Sequence, residues 1–204
     1  MFELIVAAVF AATLVLVVLR PQRASAHCDT MDGPTAKDGI TALETGEIAH
    51  ALKWIAPEGE AELREVFDRA REARAAGAAA QEVADRWFLE NLVRIHRAGE
   101  GAGYTGLQPS GVPVDEKVAA ADRSIEDGDL RALVGLVPAE KWDELERRFA
   151  RVLERRDYDP TDVDAGRAYI EAYVSFFKYA EGHDHDHAHG HEHHAAHAHA
   201  AHAG

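Results

Sequence analysis

The chain has a single cysteine, a shortage of positive charge and no strand-like alternation of apolar and polar residues. Cys28 is the one cysteine among 204 residues, so no disulfide can form within the chain. Lys and Arg number 22 against 36 Asp and Glu, which gives a formal net charge of −14. This balance argues against a nucleic-acid partner, because such affinity depends on cationic side chains that neutralise phosphates. The missing alternation argues against strands.

Motifs of the common enzyme classes are also missing. Spacing alone assembles no Ser-His-Asp, Cys-His or paired-carboxylate set. Gly99, Gly101 and Gly103 follow no predicted strand, and they lack the Gly-Lys-Ser/Thr ending of a phosphate-binding loop. These glycines therefore indicate a helix end and a turn of the chain rather than a nucleotide site.

Histidine is concentrated in the last residues, 182–204, which we call the His-rich tail. Ten of the 13 His lie there: His183, His185, His187, His189, His191, His193, His194, His197, His199 and His202. Neutral imidazole is a common metal ligand, and repeated His-x-His steps offer many interchangeable ligand sets. The other tail residues are Gly, Ala, Asp and Glu, which cannot bury enough apolar area to fold. We therefore predict a disordered, metal-binding tail.

Protonation gives the tail a pH dependence. Charging ten imidazoles moves the formal net charge from −14 toward −4. Metal affinity and net negative charge are both expected to fall below about pH 6. The alternative is that this segment is an expression tag or a passive solubilising tail. Asp184, Asp186 and Glu192 interrupt the histidines, whereas engineered tags are usually uninterrupted His runs, so the pattern argues against a tag.

The N-terminal residues indicate export. Residues 4–19 form the apolar run LIVAAVFAATLVLVVL, and Ala24-Ser25-Ala26 is a small-x-small cleavage pattern. A signal peptide over residues 1–26 predicts a periplasmic or extracellular protein. The alternative is an uncleaved transmembrane anchor, because Arg20 and Arg23 follow the run and no Lys or Arg precedes it. A run of about sixteen residues is short for a spanning helix.

Cleavage after Ala26 would leave a mature chain that begins His27-Cys28. The free amine, the His27 imidazole, the amide nitrogen of residue 28 and the Cys28 thiolate could then chelate one soft or borderline cation. An unpaired Cys in an exported protein needs a partner chain, a reactive role or a metal, and the adjacent His favours a metal. The competing interpretation is that Cys28 is buried as a small hydrophobic residue.

Apolar residues recur with a helical period through the middle of the chain, which predicts an all-α domain over residues 27–181. Setting Gly46 on Gly128 aligns residues 42–67 with residues 124–149 without a gap. We interpret this match as an internal duplication of about 80 residues, which predicts a pseudo-symmetric bundle of six or seven helices. The predicted repeats are residues 34–101 and 116–181.

The same alignment distinguishes the remaining histidines. His96 corresponds to Phe177, so His96 is predicted to face the core and to bond a neighbouring group. The alternative is that one repeat has specialised and that His96 reaches a ligand or the mature N-terminus. His50 corresponds to Ala132, lies off the apolar stripe and is predicted to be a surface residue.

Two segments carry a family resemblance. HCDTMDGP at residue 27 and LVRIHRAGEGAGYTGL at residue 92 resemble an uncharacterised family of exported bacterial helical proteins, a domain of unknown function. That resemblance implies an exported helical domain and no particular activity. The mature start is also similar, more weakly, to nickel superoxide dismutases, helical bundles that bind nickel through an N-terminal His-Cys. His27 and Cys28 match those two positions, but Asp32 stands where that family has a second thiolate.

Three functional hypotheses follow. The first is an exported protein that stores, buffers or delivers a transition metal, with the tail as a loose collector and, as an option, His27-Cys28 as a tighter site. Nickel, copper, zinc and cobalt all fit these ligands, and a metal transporter or another membrane protein is the expected partner. The second is a redox metalloenzyme at the mature N-terminus, with His96 or Tyr104 nearby. The third is a non-enzymatic interaction module that docks a membrane partner.

Overall fold

The computed structural model describes residues 26–182, and this part of the chain is helical. It contains seven α-helices, numbered here in chain order: α1 Pro34–Thr45, α2 Ala49–Leu52, α3 Glu60–Arg74, α4 Ala78–Gly99, α5 Glu116–Asp127, α6 Trp142–Arg155 and α7 Val163–Glu181. Short 3₁₀ turns lie at Ala26–Asp29, Pro57–Gly59, Arg131–Leu133 and Ala139–Lys141. The predicted all-α bundle of six or seven helices is confirmed.

The predicted signal or anchor and the histidines of the tail lie outside the described residues. Within residues 26–182, no helix has the length and apolar character needed to cross a membrane. One isolated parallel bridge joins Thr30 to Gln108 and holds the N-terminal segment against the long loop after α4. Its hydrogen bonds run from Gln108 N to Asp29 O at 2.7 Å and from Met31 N to Gln108 O at 3.0 Å.

Local sequence explains where the helices begin and end. Pro34 stands at the start of α1, where its fixed φ suits a helix and its missing N–H leaves no bond unmade. The carboxylates of Asp115 and Asp162 cap α5 and α7 by accepting hydrogen bonds from Lys117 N and Ala165 N. Gly46 ends α1 in the left-handed conformation, φ 81°, which residues with a Cβ adopt only at an energetic cost.

The core is built from two pairs of packed helices. Helix α3 packs along α4, and α6 packs along α7; the largest fully buried side chains include Phe88 of α4 and Phe176 of α7. Full burial of a side chain of this size contributes about 1.5–3 kcal/mol. Tyr169, Tyr173 and Phe177 recur every four residues on α7 and form a row of rings 6.4 and 5.2 Å apart. Tyr169 and Tyr173 of this row also line the candidate site described below.

The elements recur along the chain. Glu116, the first residue of α5, follows Pro34 of α1 by 82 residues, and Trp142 of α6 follows Glu60 of α3 by the same step. The packing recurs as well, since α1 lies on α4 as α5 lies on α7. A duplicated unit predicts such recurrence, and the pseudo-symmetric duplication itself stays our prediction.

Candidate functional site

His27 and Cys28 lie in the 3₁₀ turn Ala26–Asp29, which packs against α1. The Cys28 side chain is 1% exposed and belongs to the hydrophobic core. Burial, with a smaller contribution from the Glu100 carboxylate, raises the pKa of the thiol to about 12. The thiol is therefore protonated near neutral pH, whereas a metal ligand has to be a thiolate.

The His27 side chain, unlike that of Cys28, is hydrogen-bonded to polar side chains of two other helices. Its Nε2 lies 2.8 Å from Asp122 Oδ2 and 3.1 Å from the Tyr173 hydroxyl, which itself donates to Asp122 Oδ1 at 2.8 Å. Burial and the Asp122 charge raise the pKa of Tyr173 well above its usual value, so its hydroxyl stays a donor. Asp122 thus accepts from both His27 and Tyr173, and it fixes Nε2 as the protonated nitrogen of the imidazole.

These three residues line one end of a cavity of about 300 Å³, which we call the His27 cleft. The cleft lies between α1 and α5, with α7 as its floor. Its lining comprises His27, three residues of α1, two residues after α2, three of α5 and three of α7: Pro34, Lys37, Asp38, Lys53, Trp54, Asp122, Ile125, Glu126, Tyr169, Ile170 and Tyr173.

A second hydrogen-bonded group also lines the cleft. Lys53 Nζ is 2.9 Å from Asp38 Oδ2 and 2.9 Å from the Tyr158 hydroxyl, and Trp54 Nε1 donates to the same Asp38 oxygen at 2.7 Å. Burial alone would lower the pKa of Lys53, but its bonds to Asp38 and Tyr158 outweigh burial and raise it. The Lys53 ammonium and the Asp38 carboxylate are therefore a held ion pair.

His96 is 5% exposed, as its alignment with Phe177 predicts. Its Nδ1 lies 2.8 Å from the carbonyl oxygen of Trp54, and its ring meets the Trp54 ring edge-on at 5.7 Å. Nε2 has no hydrogen-bond partner within residues 26–182 and lies 3.8 Å from Glu100 Oε2. Trp54 also contacts Tyr173, and it lines the cleft whereas His96 does not.

A buried ion cluster that the sequence did not indicate ties the N-terminal segment to α4. Arg97 Nε and Nη2 donate to Asp29 at 2.7 and 2.6 Å, and Arg97 Nη1 donates to Glu100 at 3.0 Å. Glu100 also lies 3.6 Å from Lys178 of α7. Burial would raise the pKa of Glu100, but His96, Lys178 and Arg97 outweigh burial and lower it. The carboxylate is therefore charged, and the cluster clamps Asp29 in place.

The structure brings together some of the predicted site residues and separates others. His27 lines the cleft, Cys28 lies in the core, and His96 is buried against Trp54 outside the lining of the cleft. No group of three or more His, Cys, Asp or Glu that could hold a metal ion occurs among the described residues. All ten histidines of the tail lie outside them.

Sequence reasoning missed Asp122, Tyr173, Asp38 and Lys53. They come from α1, α5, α7 and the turn after α2, so no spacing rule unites them. The available signal was weaker: Asp122 and Tyr173 are polar residues on the apolar faces of two predicted helices.

Comparison with known proteins gives a family without an activity. No curated protein and no solved structure matches this chain. A family model described as a family of unknown function, DUF6448, matches residues 32–179. This match confirms the predicted resemblance to an uncharacterised family. The chain therefore belongs to the family of unknown function DUF6448, whose matched region covers α1 to α7 up to the last turn.

Proposed function

We propose that the protein is an exported transition-metal-binding protein and that its His-rich tail collects the metal. The observation that carries this proposal is the density of imidazole: ten His within residues 183–202. Imidazole suits nickel, copper, zinc and cobalt alike, so the tail is a broad collector of low affinity. Such a collector serves storage, buffering or delivery to a membrane transporter.

The end of the last helix supports a role for the tail that is separate from that of the helical bundle. Helix α7 ends at Glu181, and Gly182 adopts the left-handed conformation, φ 100°, that terminates a helix. Among the described residues, the last core side chain is Ala180, which precedes the first histidine of the tail. We therefore propose that metal binds to a segment that follows the helical bundle in the chain.

A redox metalloenzyme at His27-Cys28 is the second candidate, since the first two mature residues supply nitrogen and sulfur ligands. Two contacts weigh against it. The Cys28 thiol is buried with its pKa raised to about 12, and the His27 imidazole is held by Asp122 and Tyr173. A metal bound by both side chains would have to displace these contacts, the proton of the Cys28 thiol and the proton on Nε2 of His27.

An interaction module is the third candidate, and exposed apolar side chains favour it. Val83 and Trp87 lie one turn apart on α4 and are 70% and 39% exposed. These two neighbouring side chains would suit the centre of a small protein-docking surface. A membrane protein is the partner that this hypothesis predicts.

Bound metal distinguishes the first two candidates. The protein is expressed with its own leader, its N-terminus is determined by mass spectrometry, and metal is measured after equilibration with nickel, copper, zinc or cobalt. We expect a chain starting at His27 that binds several equivalents of metal. Deletion of residues 183–204, or replacement of the ten tail histidines by Asn, should remove nearly all of it.

The Cys28→Ser variant is the matched control for the N-terminal site. Our proposal places the metal on the tail and none on the buried Cys28, so this variant should bind as much metal as the unaltered protein. Metal near one equivalent per chain that survives deletion of the tail and is lost in Cys28→Ser would contradict this proposal and favour the metalloenzyme.

A further inference from the structure

The charges of the His27 cleft are divided between its two walls. The α5 wall carries the carboxylates of Asp122 and Glu126. Helix α1 carries the ammonium of Lys37 and the carboxylate of Asp38, and Lys53, which follows α2, neutralises Asp38 at 2.9 Å. The acidic groups of α5 therefore attract cations and the Lys37 ammonium attracts anions, around a cavity of about 300 Å³.

The polar groups inside the cleft are already held in place. Asp122 accepts from Tyr173 and lies 2.8 Å from His27 Nε2, while Asp38 accepts from Trp54 at 2.7 Å. Side chains fixed in this way lose little conformational entropy when a ligand binds. Lys37 and Glu126 are exposed at the rim, and their side chains can change conformation when a ligand binds.

The floor of the cleft is aromatic. The rings of Tyr169 and Tyr173 lie 6.4 Å apart with their planes inclined by 19°, and Trp54 meets Tyr173 edge-on at 6.2 Å. Ring faces attract cations and also cover apolar groups. Ile125 and Ile170 complete an apolar surface beneath the charged rim.

We propose that the His27 cleft binds a small zwitterion, a free α-amino acid, with its ammonium toward Asp122 and Glu126 and its carboxylate toward Lys37. A simple anion would meet two carboxylates on the α5 wall, and a diamine would meet the Lys37 ammonium on the other wall. The volume lies at the lower end of small-molecule sites, which limits the ligand to a single residue rather than a peptide.

Matched ligands test this assignment on the full-length mature protein in EDTA, so that metal on the tail does not contribute. The twenty amino acids are first screened by thermal shift. The tightest binder is then compared by calorimetry with its amide, which lacks the carboxylate, and with its N-acetyl derivative, which lacks the ammonium. Each derivative should bind at least about tenfold more weakly, because each loses one charge-assisted hydrogen bond.

Variants at the rim assign the two ends of the ligand without disturbing the core. Lys37→Ala should weaken the amino acid about tenfold without weakening the cationic amide. Glu126→Gln should weaken the amino acid and the amide without weakening the anionic N-acetyl derivative. Asp127→Asn, on the same helix but outside the lining, is the matched control and should bind as the unaltered protein does.

Three results would overturn the proposal. They are the absence of binding by every amino acid at about 10 mM, an amide that binds as tightly as its parent, and an unchanged affinity in both rim variants. Because the tail holds no metal in EDTA, these outcomes leave the proposed metal function untouched.

Discussion

At the scale of single residues, burial decides which groups are chemically active. Cys28 and His27 are neighbours in sequence, yet the thiol lies in the core and the imidazole lines the cleft. A buried thiol loses the solvation that stabilises its charged form, so its pKa rises. The N-terminal pair therefore does not act as one unit in the described structure.

Cys28 should be almost unreactive in the folded protein. Its thiol pKa rises from 9.0 to about 12, so the thiolate fraction at pH 8 falls by about a thousandfold. We expect alkylation by iodoacetamide to be correspondingly slow in buffer and rapid in concentrated urea. Mass spectrometry of the labelled protein over time measures both rates; equal rates would show that the thiol is accessible in the folded protein.

The Arg97 clamp should contribute strongly to stability. Replacing Arg97 by Met leaves the Asp29 and Glu100 carboxylates partly buried without their cation, which costs about 3–5 kcal/mol. Urea unfolding followed by circular dichroism measures the loss. Arg86→Gln, which breaks the exposed pair with Glu90, should cost less than about 0.5 kcal/mol. Similar losses in both variants would contradict the clamp.

At the scale of elements, close helix packing limits what local propensity can do. Gly39 lies inside α1, where propensity alone favours Ala. It faces α4, and a Cβ built on it would lie 2.7 Å from the Cδ2 atoms of Leu89 and Leu92. The glycine therefore sets the distance between α1 and α4, and with it the position of the α1 wall of the cleft.

Gly39→Ala should destabilise the protein despite its better helix propensity. Propensity alone predicts a gain of about 1 kcal/mol, whereas overpacking costs about 1–3 kcal/mol. We expect a net loss of stability in thermal unfolding and altered chemical shifts for the α4 residues that it faces. A stabilised variant would show that α1 can move away from α4 without penalty.

At the scale of the whole molecule, Glu181 lies where the two ends of the described chain meet. Burial, with the Asp115 carboxylate next in importance, raises its pKa to about 7, and its Oε2 lacks a hydrogen-bond partner in the described part of the chain. Lys178, His27 and Lys117 oppose this shift. The base of the tail is thus close to the N-terminal segment and to the start of α5.

Glu181 should make stability fall as pH rises. The folded protein keeps this proton up to about pH 7, whereas the unfolded chain releases it near the ordinary value of 4.5. Its contribution is therefore most favourable below pH 4.5 and declines until about pH 7, then stays constant. Urea unfolding at several pH values should show Glu181→Gln gaining stability relative to the unaltered protein across that interval. A constant difference between the two would contradict the raised pKa.

Much of the fold could be predicted from helical periodicity and from the internal alignment of the sequence. Apolar residues at helical spacing predicted the all-α domain, and the alignment with Phe177 placed His96 in the core. The same alignment matched Gly46 with Gly128, and the structure has these glycines at the ends of α1 and α5. These features depend on neighbours within a few residues or on a repeat of the same pattern, and both can be read along the chain.

What the sequence determined by itself is the all-α class, the family resemblance and the concentration of histidine that supports the metal proposal. Tertiary structure alone decided that Cys28 is buried, that Arg97 clamps Asp29, and that Asp122 and Tyr173 meet His27. The reason is physical: secondary structure follows local periodicity, whereas burial, pKa shifts and a cleft arise from side chains of distant segments that become neighbours only when helices pack.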